Sequence, residues 1–292
     1  MTFGLLDDLA FAGVVAKARL LDVRRGSVFP TSLGPLIELL LLVSAGTLPT
    51  SAVCWLNSTH LAEFLKAWSD GRQQWLSETS HFGFIRTRAE SETWRVEATG
   101  FLIKAQQAAR QISRLPGSIP GQMAAAIAEL EGNIQEHSDA ASTGALVFRA
   151  TSNVFEFVVA DRGIGILESL RSSPEYCGLD DHGRALEMAL TEGTSRFKDP
   201  GRGHGFRPIF QGLTELEGYL RFRTGDGAIV MDGTSPTLAT AQLFQKPSLN
   251  GFLASVRCEN KPLVSQDNHT APIRSLTRKV HSSPSESKQV GR

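Results

Sequence analysis

Apolar and polar positions follow two different patterns along the middle of this chain. From Phe101 to Leu115 and from Gly121 to Ser138, apolar residues recur every three or four positions, which predicts two amphipathic helices. Ala145–Ala150 and Val154–Ala160 are short runs of mainly aliphatic and aromatic residues, joined by a polar turn at 151–153. We therefore expect a pair of neighbouring strands after the two helices.

Shorter elements continue the pattern towards residue 260. Two more helices are predicted at Arg184–Leu190 and Phe206–Glu217, and three late strands at Gly218–Thr224, Ala228–Asp232 and Phe252–Cys258. This order of elements predicts an α+β fold, in which helices lie on one face of a mixed, mainly antiparallel sheet.

The first hundred residues predict an N-terminal α/β region of unknown role. The most apolar run, Pro35–Gly46, is about half of the ~20 residues that cross a bilayer and contains Glu38, so we expect a buried helix. The pattern further predicts a strand at Ala52–Leu56, a helix at Ser58–Leu76 and a strand at Trp94–Ala98. A regulatory or dimerising role and a plain structural extension both remain open for this region.

These patterns divide the chain into three parts. Residues 1–100 form the N-terminal region, and residues 101–260 form the main domain. Residues 261–292 are rich in Ser, Lys, Arg and Pro with few large apolar side chains, so we expect a disordered polar tail.

Composition narrows the possible functions. Hydrophobic residues make up 41% of the chain, enough for a packed core, and 30 basic residues balance 30 acidic ones. A balanced charge gives no reason to expect general binding to nucleic acid or to an acidic membrane. Cys54, Cys177 and Cys258 lie far apart, and the first residues lack the basic stretch of a signal peptide. We therefore expect reduced thiols and a cytoplasmic protein.

The second predicted helix has a polar stripe beside its apolar one. Glu129, Asn133 and His137 are four residues apart, so they lie along one side of the helix. Many surface helices carry such a stripe, and the stripe alone does not define a site.

A second group of residues follows the apolar strand Val154–Ala160. Asp161 ends the strand, and Gly163 and Gly165 come directly after it. A carboxylate at the mouth of a buried strand can accept a hydrogen bond from a ligand amino group. Glycines beside it let the backbone approach a flat ring or turn sharply.

A third group precedes the predicted helix at Phe206. Gly201, Gly203 and Gly205 alternate with Arg202 and His204, and Lys198 lies just before them. Backbone N–H groups at a helix N-terminus attract phosphate, and the neighbouring basic side chains would add positive charge.

Taken in order, ExxxN, DxGxG and GxGxGF resemble the three motifs of the superfamily that joins gyrase, heat-shock chaperones, histidine kinases and MutL. Glu129 and Asn133 resemble its N-box, and Asp161 with its two glycines resembles the first glycine box. The glycines at 201, 203 and 205 resemble the second. The resemblance covers about residues 110–258, and the three motifs together are far more specific than any one of them.

The resemblance implies a Bergerat-type site for ATP and Mg²⁺. Asp161 would accept a hydrogen bond from the adenine amino group, and Asn133 would ligate Mg²⁺. Glu129 would act as the catalytic base on the attacking water. The remaining implied contacts with the nucleotide come from Gly163, Gly165, Lys198, Gly201, Arg202, Gly203, His204 and Gly205. His137 could contact a phosphate or be an ordinary surface histidine.

Two departures from the family limit what the resemblance implies. The family often has a Gly-Thr pair on a late strand, whereas this chain has Gly251-Phe252 at the matching place, with Thr224 as a conceivable substitute. None of the seven histidines lies in a phosphoacceptor motif, so a conventional histidine kinase is not expected.

Three functions are therefore compatible with the sequence. The first is a Mg-dependent ATPase whose lid, about Leu167 to Arg202, closes on ATP and switches a protein partner or a homodimer. The second is a serine-kinase regulator of the anti-sigma-factor kind, and the third is a nucleotide-sensing module without hydrolysis.

Overall fold

The computed structural model describes residues 3–4, 6–7, 32–54, 61–191 and 206–260. Its strands are β1 (Gln74–Leu76), β2 (Phe82–Arg86), β3 (Ala145–Thr151), β4 (Val154–Ala160), β5 (Glu217–Thr234) and β6 (Gln242–Glu259). Its α-helices are α1 (Leu33–Ser44), α2 (Ser51–Cys54), α3 (Ala62–Ser69), α4 (Glu92–Gln111), α5 (Ile119–His137), α6 (Gly165–Arg171), α7 (His182–Leu190) and α8 (Arg207–Gly212).

The six strands form one sheet in the order β1-β2-β3-β4-β6-β5, and every neighbouring pair is antiparallel. The central strand β4 pairs with β3 along its whole length and with β6 on its other side. The α+β class is confirmed. The late strands are longer than expected, because β5 continues through the irregular stretch at Gly225–Gly227 instead of ending there.

Helices cover both faces of the sheet, not one. On the first face, α4, α5, α7 and α8 bury a core that includes Phe101, Leu130 and Phe157. On the second face, α1 and α3 pack over a separate core that includes Phe64 and Val158. Successive residues of a strand point to opposite faces, so the continuous apolar run of β4 serves both cores.

Buried ion pairs fasten α1 to the second face. Glu38, in the middle of α1, accepts hydrogen bonds from Arg221 and Arg223 of β5. At the start of α1, the Leu33 N–H donates to the Glu156 carboxylate at 3.0 Å, and Arg149 pairs with the same carboxylate. Each carboxylate is buried together with an arginine, which compensates for the loss of water around both charges.

Three of the expected N-terminal elements differ from the structure. Ser51–Cys54 is helical, so the strand expected at Ala52–Leu56 is wrong for its described part. The expected helix at Ser58–Leu76 is confirmed only over Ala62–Ser69, because Gln74–Leu76 is a strand.

The third difference concerns Trp94–Ala98, which lies inside α4 and is not a strand. The Ser91 side chain caps this helix by accepting the Trp94 N–H, and Trp94, Ala98 and Phe101 are buried on one side of it. The alternation that suggested a strand covers only five residues. The helical spacing continues from Ala98 to Gln111, and this longer pattern decides the structure.

One continuous sheet extends across the domain boundary expected at residue 100. β1 and β2 lie before it and pair onward to β3, and the described residues up to Asn260 belong to one compact unit. The expected polar tail at 261–292 lies outside the described residues. Within the described residues, every helix is too short or too polar to cross a membrane.

Candidate functional site

Asp161 is the centre of the candidate site. It follows directly on β4, and its side chain is buried, with 4% exposure for the whole residue. The Gly163 N–H donates to the carboxylate at 2.7 Å. Burial raises the pKa of Asp161 to about 6, although backbone hydrogen bonds from Gly163 and Phe252 partly offset this. The carboxylate therefore lies in an environment that disfavours its charged form.

The loop after Asp161 is tied to the end of α5. The Ile164 N–H donates to the Ser138 carbonyl oxygen at 2.9 Å, one residue after the last residue of α5. Gly163 lies so close to Ser138 that a Cβ at this position would collide with the same carbonyl oxygen. The glycine at 163 is needed for this approach, which joins the ExxxN helix to the DxGxG loop.

A second tie joins the loop to the late strands. Gly165 has a φ of +76°, and a Cβ there would lie 2.7 Å from the Thr224 hydroxyl. That hydroxyl accepts the Ile166 N–H at 3.1 Å and donates to the Gly251 carbonyl at 3.0 Å. Thr224 is 1% exposed. Its hydroxyl therefore holds the loop against β5 and β6 instead of facing open space.

The polar stripe of α5 is present as expected. Glu129 is exposed, whereas Asn133 and His137 are half-buried, and all three lie on one continuous helix. Ile127, Leu130 and Ile134 are buried against the sheet. The stripe thus runs along the helix towards Ser138, where α5 meets the loop after Asp161.

The second glycine segment lies outside the described residues. This applies to Lys198, Gly201, Arg202, Gly203, His204 and Gly205. The described chain resumes at Phe206, whose ring packs edge-on against Phe222 and Phe252, with centroids 5.3 and 6.1 Å away. Phe252 follows Gly251, so Phe206 lies beside the late strand that borders the Asp161 loop.

The described part of the site offers few side chains that could bind a cation. Among the described residues, no three acidic, histidine or cysteine side chains converge on one point. Asn133 could supply a single amide oxygen, and Mg²⁺ commonly takes one or two protein ligands together with phosphates and water.

Comparisons with known proteins add no family. A scan against models of protein families finds no match to this chain, and a search of curated proteins finds none. The assignment of the site depends on its own geometry and on the motifs.

Two residues of the site have roles that the sequence did not suggest clearly. Ser138 joins α5 to the loop through its backbone carbonyl, which carries no sequence signature. Thr224 was conceivable as a substitute for a missing late-strand threonine, yet its hydroxyl is engaged by backbone groups on both sides. The sequence signal near Thr224 was Gly225, since a glycine inside a strand often marks a bulge, and it did not point to the hydroxyl.

Proposed function

We propose that this chain binds ATP with Mg²⁺ in a Bergerat-type site around Asp161, and that it hydrolyses the ATP. The observation that carries the proposal is the buried carboxylate of Asp161, whose pKa is raised to about 6 without a cationic partner among the described residues. Such a group destabilises the fold, and buried, perturbed acids of this kind cluster at functional sites. A donor from a ligand would compensate for the burial.

The contacts of the loop support the same proposal. Asp161 would accept a hydrogen bond from the adenine amino group, because its carboxylate is an acceptor with capacity beyond the Gly163 N–H. The adjacent Ile164 is 37% exposed and would offer an apolar surface to the ring. Thr224 and Ser138 would fix the loop so that little order has to be gained on binding.

The polar stripe of α5 would serve the phosphate end of the nucleotide. Asn133 would provide a ligand to Mg²⁺, whose charge would offset that of the phosphates. Glu129 would take a proton from the water that attacks the terminal phosphorus, a role for which its exposure leaves the carboxylate free. The phosphates would be cradled by Lys198, Gly201, Arg202, Gly203, His204 and Gly205, as the resemblance implies.

The moving part of the site would be shorter than the lid expected at Leu167–Arg202. Leu186 and Leu190 of α7 belong to the main core, and Leu167 of α6 is buried. Moving these helices would expose apolar surface, so α6 and α7 would stay in place when the lid closes. The closure would act on a protein partner or a homodimer. The free thiols of Cys177 and Cys258 favour a reducing compartment, and we propose the cytoplasm.

Phosphate release from Mg-ATP by the wild type and by Glu129→Ala tests the proposal. We expect the variant to bind ATP as the wild type does and its turnover to fall by about 10²–10⁴-fold, the usual contribution of a general base. Glu175→Ala, at another exposed position, serves as the control and should leave turnover unchanged.

Other outcomes would select a different function. Binding without turnover by the wild type would indicate a nucleotide-sensing module. Transfer of the terminal phosphate to serine in a partner protein would indicate the serine-kinase regulator. Equal turnover in the wild type and Glu129→Ala would remove Glu129 from the mechanism.

A further inference from the structure

The outer side of α4 is an uncovered helix surface with two exposed aliphatic side chains. Val96 is 65% exposed and Ile103 is 48% exposed, one heptad apart on the side opposite the buried Phe101. Gly100 lies between them, and the space around its Cα is open. Two large apolar groups beside a residue without a side chain would allow another helix to approach closely.

Two of the charges on this side of α4 are placed symmetrically about its middle, while Arg95 contacts Glu92 within the same helix at 3.8 Å. Glu92 lies nine residues before Phe101, and Arg110 lies nine residues after it. Both side chains are exposed, and both project from the same side as Ile103, because 18 residues correspond to five helical turns. A second α4 laid antiparallel across the first would therefore place each Glu92 opposite the partner's Arg110.

The same arrangement brings the exposed aliphatic side chains of the two helices near one another. With Phe101 level with its counterpart, Ile103 of one helix lies opposite Thr99 of the other, and Val96 of that second helix is three residues from Thr99, on the neighbouring turn. We propose that this face of α4, defined by Glu92, Val96, Gly100, Ile103 and Arg110, is where a second copy of this chain docks in antiparallel orientation. The proposal does not depend on nucleotide binding.

The small area that two α4 helices can bury against each other limits the affinity of the dimer. A single pair of 20-residue helices falls below the roughly 1,200 Å² at which stable interfaces begin, so a weak, reversible dimer is expected. Because the pairing of Glu92 with Arg110 occurs twice across a two-fold axis, charge reversal has a doubled effect on association.

Sedimentation velocity of the full chain over a concentration series tests the docking. Glu92→Arg and Arg110→Glu alone are each expected to weaken association by roughly tenfold, and the double variant to restore it. Ile103→Glu should abolish it. Glu175→Arg, at an exposed position outside α4, is the matched control and should leave association as in the wild type.

Helix content and thermal stability of each variant separate docking from folding, since Glu92 also lies in the first turn of α4. If the single variants dissociated only because they damage the helix, the double variant, which carries both changes, would not regain association. A wild type that stays monomeric across the whole concentration series would overturn the proposal. So would a double variant that associates no better than the single ones.

Discussion

Among the residues of the candidate site, Asp161 is the one whose burial opposes its ionisation. Its carboxylate is buried at the end of β4, where the apolar strand meets a loop of two glycines. The sequence was sufficient to single out Asp161, Gly163 and Gly165, because their order is specific. It could not reveal the Ser138 carbonyl, which acts through the backbone and depends on how α5 ends.

Replacing Asp161 with asparagine should make the free protein more stable. A folded pKa of about 6, raised from 3.8, means that the folded state retains the proton over the pH range between these values. The stabilisation from the protonated acid is therefore complete below about pH 4 and is lost as the pH rises through 6. Asparagine avoids this loss and can still accept the Gly163 N–H.

Urea unfolding between pH 4 and pH 8 measures the effect. The advantage of Asp161→Asn over the wild type should grow with pH and level off above pH 7 at about 3 kcal/mol, the free energy of the pKa shift. An advantage that does not change with pH, or a variant less stable than the wild type at pH 8, would show that the carboxylate is not strained by burial.

At the scale of elements, amphipathic helices and apolar strands were predictable, and their limits were set by local chemistry. α5, β3 and β4 agree with the sequence pattern to within two residues. The expected strand at Trp94–Ala98 failed because five alternating residues are a shorter signal than the helical period of α4. The position of α1 on the second face could not be predicted, since it depends on ion pairs between residues far apart in the chain.

The buried ion pairs of Glu38 with Arg221 and Arg223 join α1 to β5 and should contribute to stability. Glu38→Ala would leave Arg221 and Arg223 buried without their shared carboxylate, which should lower the free energy of unfolding by about 3–5 kcal/mol. Glu63→Ala, at an exposed position of α3, should change it by less than about 0.5 kcal/mol. Chemical denaturation of both variants measures the difference. A loss below 1 kcal/mol for Glu38→Ala would mean that water or another group satisfies the arginines.

At the scale of the whole molecule, the two faces of the sheet carry different features. The first face joins α5, the Asp161 loop and the late strands through the contacts of Ser138 and Thr224. The second face is closed by α1 and its buried charges. One side of the sheet thus holds the candidate site, and the other contributes stability. The ExxxN and DxGxG motifs lie on the first side, whereas the second side became visible only in the folded chain.

Calorimetric titration with Mg-ATP and Mg-ADP at pH 7.5 tests the central claim most directly. The wild type should bind, and Asp161→Asn should bind about 10- to 100-fold more weakly, because the charged acceptor of the adenine hydrogen bond is replaced by a neutral amide. Asp180→Asn, at an exposed position, should bind like the wild type. Absence of binding of both nucleotides by the wild type, or equal affinity of the wild type and Asp161→Asn, would contradict the account.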